Sequence, residues 1–258
     1  MECPKCQFVN PDDFQFCGKC GHSFAESAEI AQTPTEAEGE RKHITVLFSD
    51  LSGYTAMCER LDPEEVKEIM GRIFGDIAQV VTKYEGFVEK FVGDAVMALF
   101  GVPKAHEDDP VRAIRAAGEI HDLLEALSPQ LEEKIGKSLS MHSGINTGLV
   151  VTGEVDLEKG THGVAGDTIN LAARFCGLAN PGEIVVGLDT CRQAEGHFTF
   201  TALGPTEVKG KAEPVQAYRV ESLREEPRKV HRLRGLRADL MGRDLQMAEL
   251  VEAVEKLR

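Results

Sequence analysis

The chain has 258 residues, a formal net charge of −14 and 42% hydrophobic residues, with a pI of about 5.1. These values are typical of a globular protein with one or two domains. They argue against nucleic acid or an anionic membrane as the main partner, because such surfaces usually bind basic proteins. No apolar run reaches the length of a membrane span, which is about 18 residues or more, and the first residues lack the apolar core of a secretory signal. We therefore expect a cytoplasmic protein.

Four of the seven cysteines form a regular pattern near the N-terminus. Cys3, Cys6, Cys17 and Cys20 follow the spacing C-x2-C-x10-C-x2-C, which is typical of a zinc site with four thiolate ligands. A shell of four sulfurs is closed, so it predicts one structural zinc ion per chain rather than a catalytic metal. We assign residues 1–24 to a small zinc ribbon, whose expected role is either a contact with another protein or a regulatory contact with the main domain.

An acidic linker separates this unit from the main domain. Residues 25–40 contain five glutamates and no basic residue. From Arg41 onward, strand and helix patterns alternate as far as residue 222. The sequence Asp62-Pro63-Glu64-Glu65, for example, combines a cap, a first-turn proline and first-turn acids, which together predict a helix start. The predicted strands lie near residues 43–49, 87–92, 95–100, 139–146, 148–155, 183–187, 197–203 and 215–220, and the predicted helices start near 62, 108 and 167.

The order β-α-β-β-α-β, followed by additional strands, predicts an α+β fold. We expect an α/β sandwich with a ferredoxin-like antiparallel sheet and helices on one face. In that topology the third strand lies antiparallel beside the first. The hairpin turn that contains Asp94 should then fall next to Asp50, at the end of the first strand. Two aspartates in this arrangement can hold a pair of magnesium ions against a nucleoside triphosphate.

Each of these polar residues also has an ordinary structural explanation when it is taken alone. An isolated aspartate at a strand end is usually a turn former or a helix cap. Asn170 and Arg174, four apart, would share one face of a helix and could be solvated surface residues. Lys90 could be a solvated strand lysine. Their combination is what points to a nucleotide site.

Five segments together resemble the class III adenylyl/guanylyl cyclase catalytic domain. They occur in the order of that family and cover about residues 41–221 of the chain, so the resemblance assigns the catalytic domain to residues 41–222. The segments are FSDLSGYT (48–55), EKFVGDAVMALFG (89–101), SGINTGLVVTGEV (143–155), GDTINLAAR (166–174) and EVKGKAEPVQAYRV (207–220).

The resemblance implies a reaction and a shared site. ATP would be converted to 3′,5′-cyclic AMP and pyrophosphate by attack of the ribose 3′-hydroxyl on the α-phosphate. Asp50 and Asp94 would hold two magnesium or manganese ions per active site. The resemblance also implies a homodimer with two composite sites, in which one subunit supplies the aspartates and the other supplies the remaining groups.

The resemblance assigns the remaining groups to nucleotide binding. Asn170 would orient the ribose, Arg174 would stabilise charge on the α-phosphate, Lys209 would contact the terminal phosphates and Lys90 would bind the purine. One position departs from the family pattern: adenylyl cyclases usually carry Asp or Thr where this chain has Gly163. Lys90 favours ATP, whereas Gly163 leaves the purine choice open.

Three other functions stay open at this point. They are a guanylyl cyclase, a catalytically silent cyclase-like module for nucleotide binding or dimerisation, and a diguanylate cyclase. The last normally has a GG[DE]EF-type turn, where this chain reads FVGDAV.

The C-terminal residues 223–258 differ in character from the main domain. A basic connector precedes an amphipathic helix, and the segment resembles the opening of an AAA-type ATPase module. No Walker A motif is present. We expect the chain to be a truncated part of a longer protein, and the alternative is a simple C-terminal helix.

Overall fold

The fold is seen in a computed structural model that describes residues 7, 9, 40–153, 163–207, 213–225 and 252. By its internal contacts the chain divides into two units, residues 1–40 and 41–258, and the fold described below belongs to the second. No helix within the described ranges combines the length and apolar content needed to cross a bilayer. The four predicted zinc ligands and Lys209 lie outside the described residues, as do most of the linker and of the C-terminal segment.

Strands and helices alternate along the described part of the second unit. In chain order they are β1 (Glu40–Ser52), α1 (Tyr54–Arg60), α2 (Pro63–Lys83), β2 (Phe87–Val92), β3 (Ala95–Phe100), α3 (Asp109–Ile135), β4 (Ser140–Thr152), α4 (Asp167–Leu178), β5 (Ile184–Gly187), α5 (Leu188–Ala194), β6 (Phe198–Thr206) and β7 (Val215–Leu223).

Within the described ranges, seven strands form one sheet in the order β2-β3-β1-β4-β5-β7-β6. The first four follow the predicted ferredoxin-like order, and β3 runs antiparallel to both β1 and β2. The sheet as a whole is mixed, because β4 and β5 are parallel. The prediction of an antiparallel sheet was therefore wrong at this pair. A parallel pair needs a long crossover, and α4 lies within the connection between these two strands.

Helices cover both faces of the sheet, not one face as predicted. On one face, Leu47 and Leu51 of β1 join a core cluster with residues of α2 and α3. On the other face, Ile44 and Val46 of β1 pack with Ala172 of α4. The reason lies in β1 itself, which is apolar on both sides of the strand and therefore needs cover on both faces.

The helix α2 shows how local sequence and core packing agree. It starts at Pro63, with Asp62 as the cap residue, as predicted. Its buried residues Val66, Met70, Ile73 and Ile77 recur at a spacing of three or four, which places them on one side of the helix. Burying each such side chain contributes roughly 1.5–3 kcal/mol. The helices α1 and α5 were not predicted, because a helix of two turns is too short to show this periodicity.

The strand β4 is a single element, although two strands were predicted there. It continues through Gly144, where a β-carbon would lie 2.0 Å from the backbone nitrogen of Cys176 and 2.3 Å from the carbonyl oxygen of Ala172. Here the glycine does not break the strand, and it lets α4 pack directly on the sheet. This close contact holds α4 beside the strands that carry the predicted site.

Candidate active site

The two predicted metal ligands lie at the same end of adjacent strands. Strands β1 and β3 pair antiparallel, with Ser49 opposite Val96. One step further along this register lies Asp50, and Asp94 occupies the tight turn that joins β2 to β3. Gly93 in this turn has a φ of +65°, a conformation that favours glycine. The structure thus brings together two aspartates that are far apart in the sequence.

The electrostatics of this pair favour a bound cation. Burial raises the pKa of Asp94, and the charge of Asp50 raises it further. One nearby basic group opposes this effect: Nε2 of His142 lies 3.6 Å from Oδ2 of Asp50. The His142 ring is itself positioned by Ser52, whose Oγ lies 3.1 Å from Nδ1. A divalent cation between the carboxylates would offset both the burial and the mutual repulsion.

The chemistry of the donor set fits magnesium bound together with a nucleotide. No group of three or more His, Cys, Asp or Glu side chains suited to a metal occurs in the described parts of the chain. Magnesium seldom needs such a cage, because it is usually held by one or two carboxylates, substrate phosphates and water. Asp50 and Asp94 provide that minimal set of protein ligands.

The predicted ribose and phosphate residues lie on α4, away from its buried face. That face consists of Thr168, Ala172, Phe175 and Cys176. Asn170 is exposed and Arg174 is half-buried, and their spacing of four places them on the same side of the helix. Among the described residues, neither side chain is engaged in a hydrogen bond or an ion pair. Both are therefore available to a ligand or a second subunit.

A neighbouring cysteine shows how α4 is oriented relative to Asp50. Burial raises the pKa of the Cys176 thiol to about 12, and the charge of Asp50 adds to this effect. The Cys176 Sγ donates a hydrogen bond of 3.4 Å to the carbonyl oxygen of His142, the residue beside Asp50, so Cys176 lies on the side of α4 that is close to Asp50. Arg174 is two residues away, so its side chain leaves the helix at roughly 200° from that of Cys176. Arg174 therefore leaves α4 on roughly the opposite side from Cys176.

The predicted purine residues are linked by a carboxylate that the sequence analysis missed. Lys90 on β2 and Gly163 before α4 are both exposed. Between them, Oε1 of Glu89 accepts a hydrogen bond of 3.2 Å from the backbone N–H of Gly163. The sequence carried no signal for it, because Glu89 lies at a register shift of β2, where the alternation of side chains along the strand is interrupted. Glu89 is 6% exposed.

A cavity of about 550 Å³ adjoins the aspartate turn. Its lining is mainly apolar, with Lys67 as its cationic residue. Tyr54 lines this cavity, and its pKa is raised mainly by a hydrogen bond with Cys58. The charge of Asp94 also raises the pKa of Tyr54, so Tyr54 lies near the aspartate pair. Lys90, Asn170 and Arg174 do not line this cavity. The described part of the chain therefore presents the site as separate groups rather than as one enclosed nucleotide pocket.

The family model of the adenylate and guanylate cyclase catalytic domain matches residues 37–222. The chain belongs to this family. Among curated proteins, the cyclase domain is 30% identical over 178 residues to the receptor-type guanylate cyclase gcy-23 of Caenorhabditis elegans, which covers 67% of this chain and 16% of the relative. It is 27% identical over 183 residues to adenylate cyclase 1 of Rhizobium meliloti, covering 70% of this chain and 28% of the relative. The chain thus spans well under half the length of these curated relatives.

Solved structures of cyclases share the fold of this cyclase domain. The adenylyl cyclase CyaB from P. aeruginosa superposes with a TM-score of 0.68 at 30% identity, covering 73% of this chain and 98% of that one. The guanylyl cyclase Cya2 superposes with a TM-score of 0.67 at 34% identity, covering 73% of this chain and 96% of that one. The α+β architecture with a mixed sheet is therefore that of class III cyclases, and the two similar proteins differ in the purine that their names imply.

Proposed function

We propose that this chain is an adenylyl cyclase that converts ATP to 3′,5′-cyclic AMP and pyrophosphate at sites shared across a homodimer. The observation that carries the proposal is the pairing of Asp50 and Asp94 at one end of the sheet, where the charge of the first raises the pKa of the second. Such a pair is costly in a fold without a cation and is well suited to a metal–triphosphate complex.

The aspartates would hold two magnesium or manganese ions. When bound, these ions would favour transfer of the ribose 3′-hydroxyl proton to water and offset charge on the triphosphate. The bond between the 3′-oxygen and the α-phosphorus forms, the bond from that phosphorus to the bridging oxygen breaks, and pyrophosphate leaves. The protein contributes by holding these groups in line, which removes much of the entropic barrier.

Arg174 and Asn170 would act on the reacting phosphate and the ribose. The planar guanidinium of Arg174 suits the oxygens of the α-phosphate, on which charge develops in the transition state. Asn170, one turn earlier on α4, would hydrogen-bond the ribose. Since Arg174 leaves α4 on roughly the opposite side from Cys176, which lies close to Asp50, we assign Arg174 to the site of the partner subunit. Lys209, outside the described residues, would contact the terminal phosphates.

Lys90 is the residue that favours ATP, and a guanylyl cyclase is the second candidate. Two observations support a guanylyl cyclase as the alternative. Gly163 has no side chain that could select a purine, and both gcy-23 and Cya2 are named as guanylate or guanylyl cyclases. We give priority to ATP because an ammonium at position 90 can donate to the ring nitrogens of adenine but cannot accept from the N–H groups of guanine.

The deciding experiment is a cyclisation assay with ATP and GTP offered separately, each in magnesium and in manganese. We expect cyclic AMP from ATP at a higher kcat/KM than cyclic GMP from GTP. A higher kcat/KM for GTP would replace the adenylyl with the guanylyl assignment. Nucleotide binding without any cyclic product, in either metal, would show instead a silent nucleotide-binding module.

A further inference from the structure

We propose that Glu89 is a positioning residue that sets the purine preference by occupying the backbone N–H of Gly163. The inference rests on the proposed function, because it takes Lys90 and Gly163 to be the purine side of the site. It concerns a residue that the family resemblance did not assign.

The first observation is the burial of a carboxylate next to an exposed lysine. Glu89 is 6% exposed, although it lies in a strand with Lys90 exposed beside it. The register between β2 and β3 shifts between Val88 and Lys90, so that Val88 pairs with Ala98 and Lys90 with Met97. Glu89 is thus the additional residue of a β-bulge, a feature that often redirects a side chain near a functional site.

The second observation is how the backbone of Gly163 is held. Its N–H donates to Oε1 of Glu89 at 3.2 Å, and its carbonyl oxygen accepts from the N–H of Gly153 at 3.4 Å. Two residues later, Ala165 and Val151 exchange backbone hydrogen bonds of 2.8 and 2.9 Å. Gly163 has a φ of +54°, which a residue with a β-carbon rarely adopts. The peptide before α4 is therefore fixed, and the bond to Glu89 fixes its N–H.

These contacts bear on the choice between adenine and guanine. At position six of the ring, adenine presents an amino group, which donates, and guanine presents a carbonyl oxygen, which accepts. A backbone carbonyl can pair with the first, and a backbone N–H can pair with the second. Because the N–H of Gly163 is already donated to Glu89, it is not available to the guanine oxygen. Glu89 would therefore disfavour GTP without touching the nucleotide.

The test compares three replacements of Glu89 with different abilities to accept this hydrogen bond. Glu89→Gln keeps an acceptor oxygen at the same distance, Glu89→Met removes it at similar length, and Glu89→Asp keeps the charge but is too short to reach. We expect the Met and Asp variants to lower the ATP:GTP ratio of kcat/KM by roughly tenfold, mainly through the KM for each nucleotide. The Gln variant should stay within about threefold of wild type. If Glu89→Met does not fold, the nucleotide ratio of Glu89→Asp tests the proposal.

A neighbouring control and a binding assay separate selectivity from structure and from turnover. Val88→Ala on the same strand should lower the melting temperature and leave the nucleotide ratio unchanged. Dissociation constants for 3′-deoxy-ATP and 3′-deoxy-GTP, which cannot cyclise, should follow the same ratio. If the protein forms no cyclic product, the proposed function is wrong. The dissociation constants of the two 3′-deoxy nucleotides would still test the role of Glu89. The inference is wrong if the Met and Asp variants affect both nucleotides equally, if the Gln variant behaves like the Met variant, or if wild type prefers GTP.

Discussion

Asp94 lies close enough to Asp50 for the charge of one carboxylate to raise the pKa of the other. Asp50 lies in β1 and Asp94 lies in the turn between β2 and β3, and the antiparallel pairing of β1 with β3 brings them together. Burial of Asp94 adds to the cost of ionising this residue and raises its pKa further. A fold that places two acids together in this way gains stability when a cation binds, which links metal binding to the stability of the domain.

We predict that Asp94→Asn stabilises the metal-free protein and abolishes its activity. The substitution removes both the cost of burying a charge and the repulsion by Asp50. The melting temperature at pH 7 in chelator should therefore rise by roughly 1–3 °C, as expected for a change below about 1 kcal/mol in the free energy of unfolding of a domain of this size. Cyclic nucleotide formation should fall by more than about 100-fold. The exposed Asp122→Asn is the matched control and should leave both quantities unchanged. A lower melting temperature for Asp94→Asn in chelator would contradict this interpretation of the pair.

Mixing two inactive variants tests the proposal that the site is shared between two subunits. Asp50→Ala and Arg174→Ala should each be nearly inactive, because every site in either homodimer lacks one essential group. Random reassociation should restore about a quarter of wild-type activity, since half of the dimers are heterodimers and each has one intact site. The size of the dimers and the exchange of subunits between them can be followed with differently tagged chains. Recovery of no activity, although tagged heterodimers form, would show that the groups act within one chain.

Substitutions at the purine residues should change nucleotide preference in opposite directions. Lys90→Glu should lower kcat/KM for ATP more than for GTP, because a carboxylate accepts from guanine and repels the acceptor nitrogens of adenine. Gly163→Asp should sharpen the ATP preference, since Asp tolerates the φ of +54° and can accept from the adenine amino group. Gly163→Thr should instead lose stability, because a β-branched residue is strained there. Equal changes for both nucleotides in Lys90→Glu would remove Lys90 from the purine site.

His121 should make the domain sensitive to acid. Burial lowers the pKa of His121 to about 4, and its Nε2 lies 2.8 Å from Oγ of Ser143. The unfolded chain therefore binds a proton near pH 6.5 that the folded chain does not yet bind. The contribution of neutral His121 to the free energy of unfolding is complete above the pKa of the unfolded state. It is lost as the pH falls towards 4, which lowers the free energy of unfolding by about 1–3 kcal/mol.

Denaturant unfolding between pH 7.5 and 4.5 measures this effect. The variant His121→Gln should be less stable at neutral pH and should show a shallower loss of stability on acidification. The exposed His43→Gln is the control and should follow wild type. Identical slopes for wild type and His121→Gln would show that other groups account for the acid sensitivity.

The N-terminal cysteines should bind one zinc ion per chain. Cys3, Cys6, Cys17 and Cys20 lie outside the described residues, so this stays a prediction from their spacing alone. A segment of 24 residues or so is too small to fold by apolar burial, so metal binding should supply its folding energy. Chelation should release one zinc per chain and expose four titratable thiols, while the melting transition of the cyclase domain is unchanged. Purified protein with no zinc and four reactive thiols would contradict the assignment.

Local sequence determined the elements whose signals are contained within a few residues. Asp62-Pro63 specifies the start of α2, because proline and a capping aspartate favour the first turn of a helix. Gly93-Asp94 specifies the turn between two apolar strands. The order of these elements was enough to predict the β2-β3-β1-β4 half of the sheet, and with it the meeting of Asp50 and Asp94, because few topologies accommodate that order.

The tertiary structure alone decided the features that depend on contacts between distant segments. One such feature is the parallel pairing of β4 with β5, and another is the placement of α4 on the second face of the sheet. Both depend on how strands that are apolar on both faces are buried. The bond from Gly163 to Glu89 joins residues 74 apart in the chain. The approach of His142 to Asp50 joins residues that are still further apart in the chain and that lie on the neighbouring strands β4 and β1. Propensity and periodicity describe neighbours within one or two turns, so they carry no information on which buried carboxylate meets which backbone N–H.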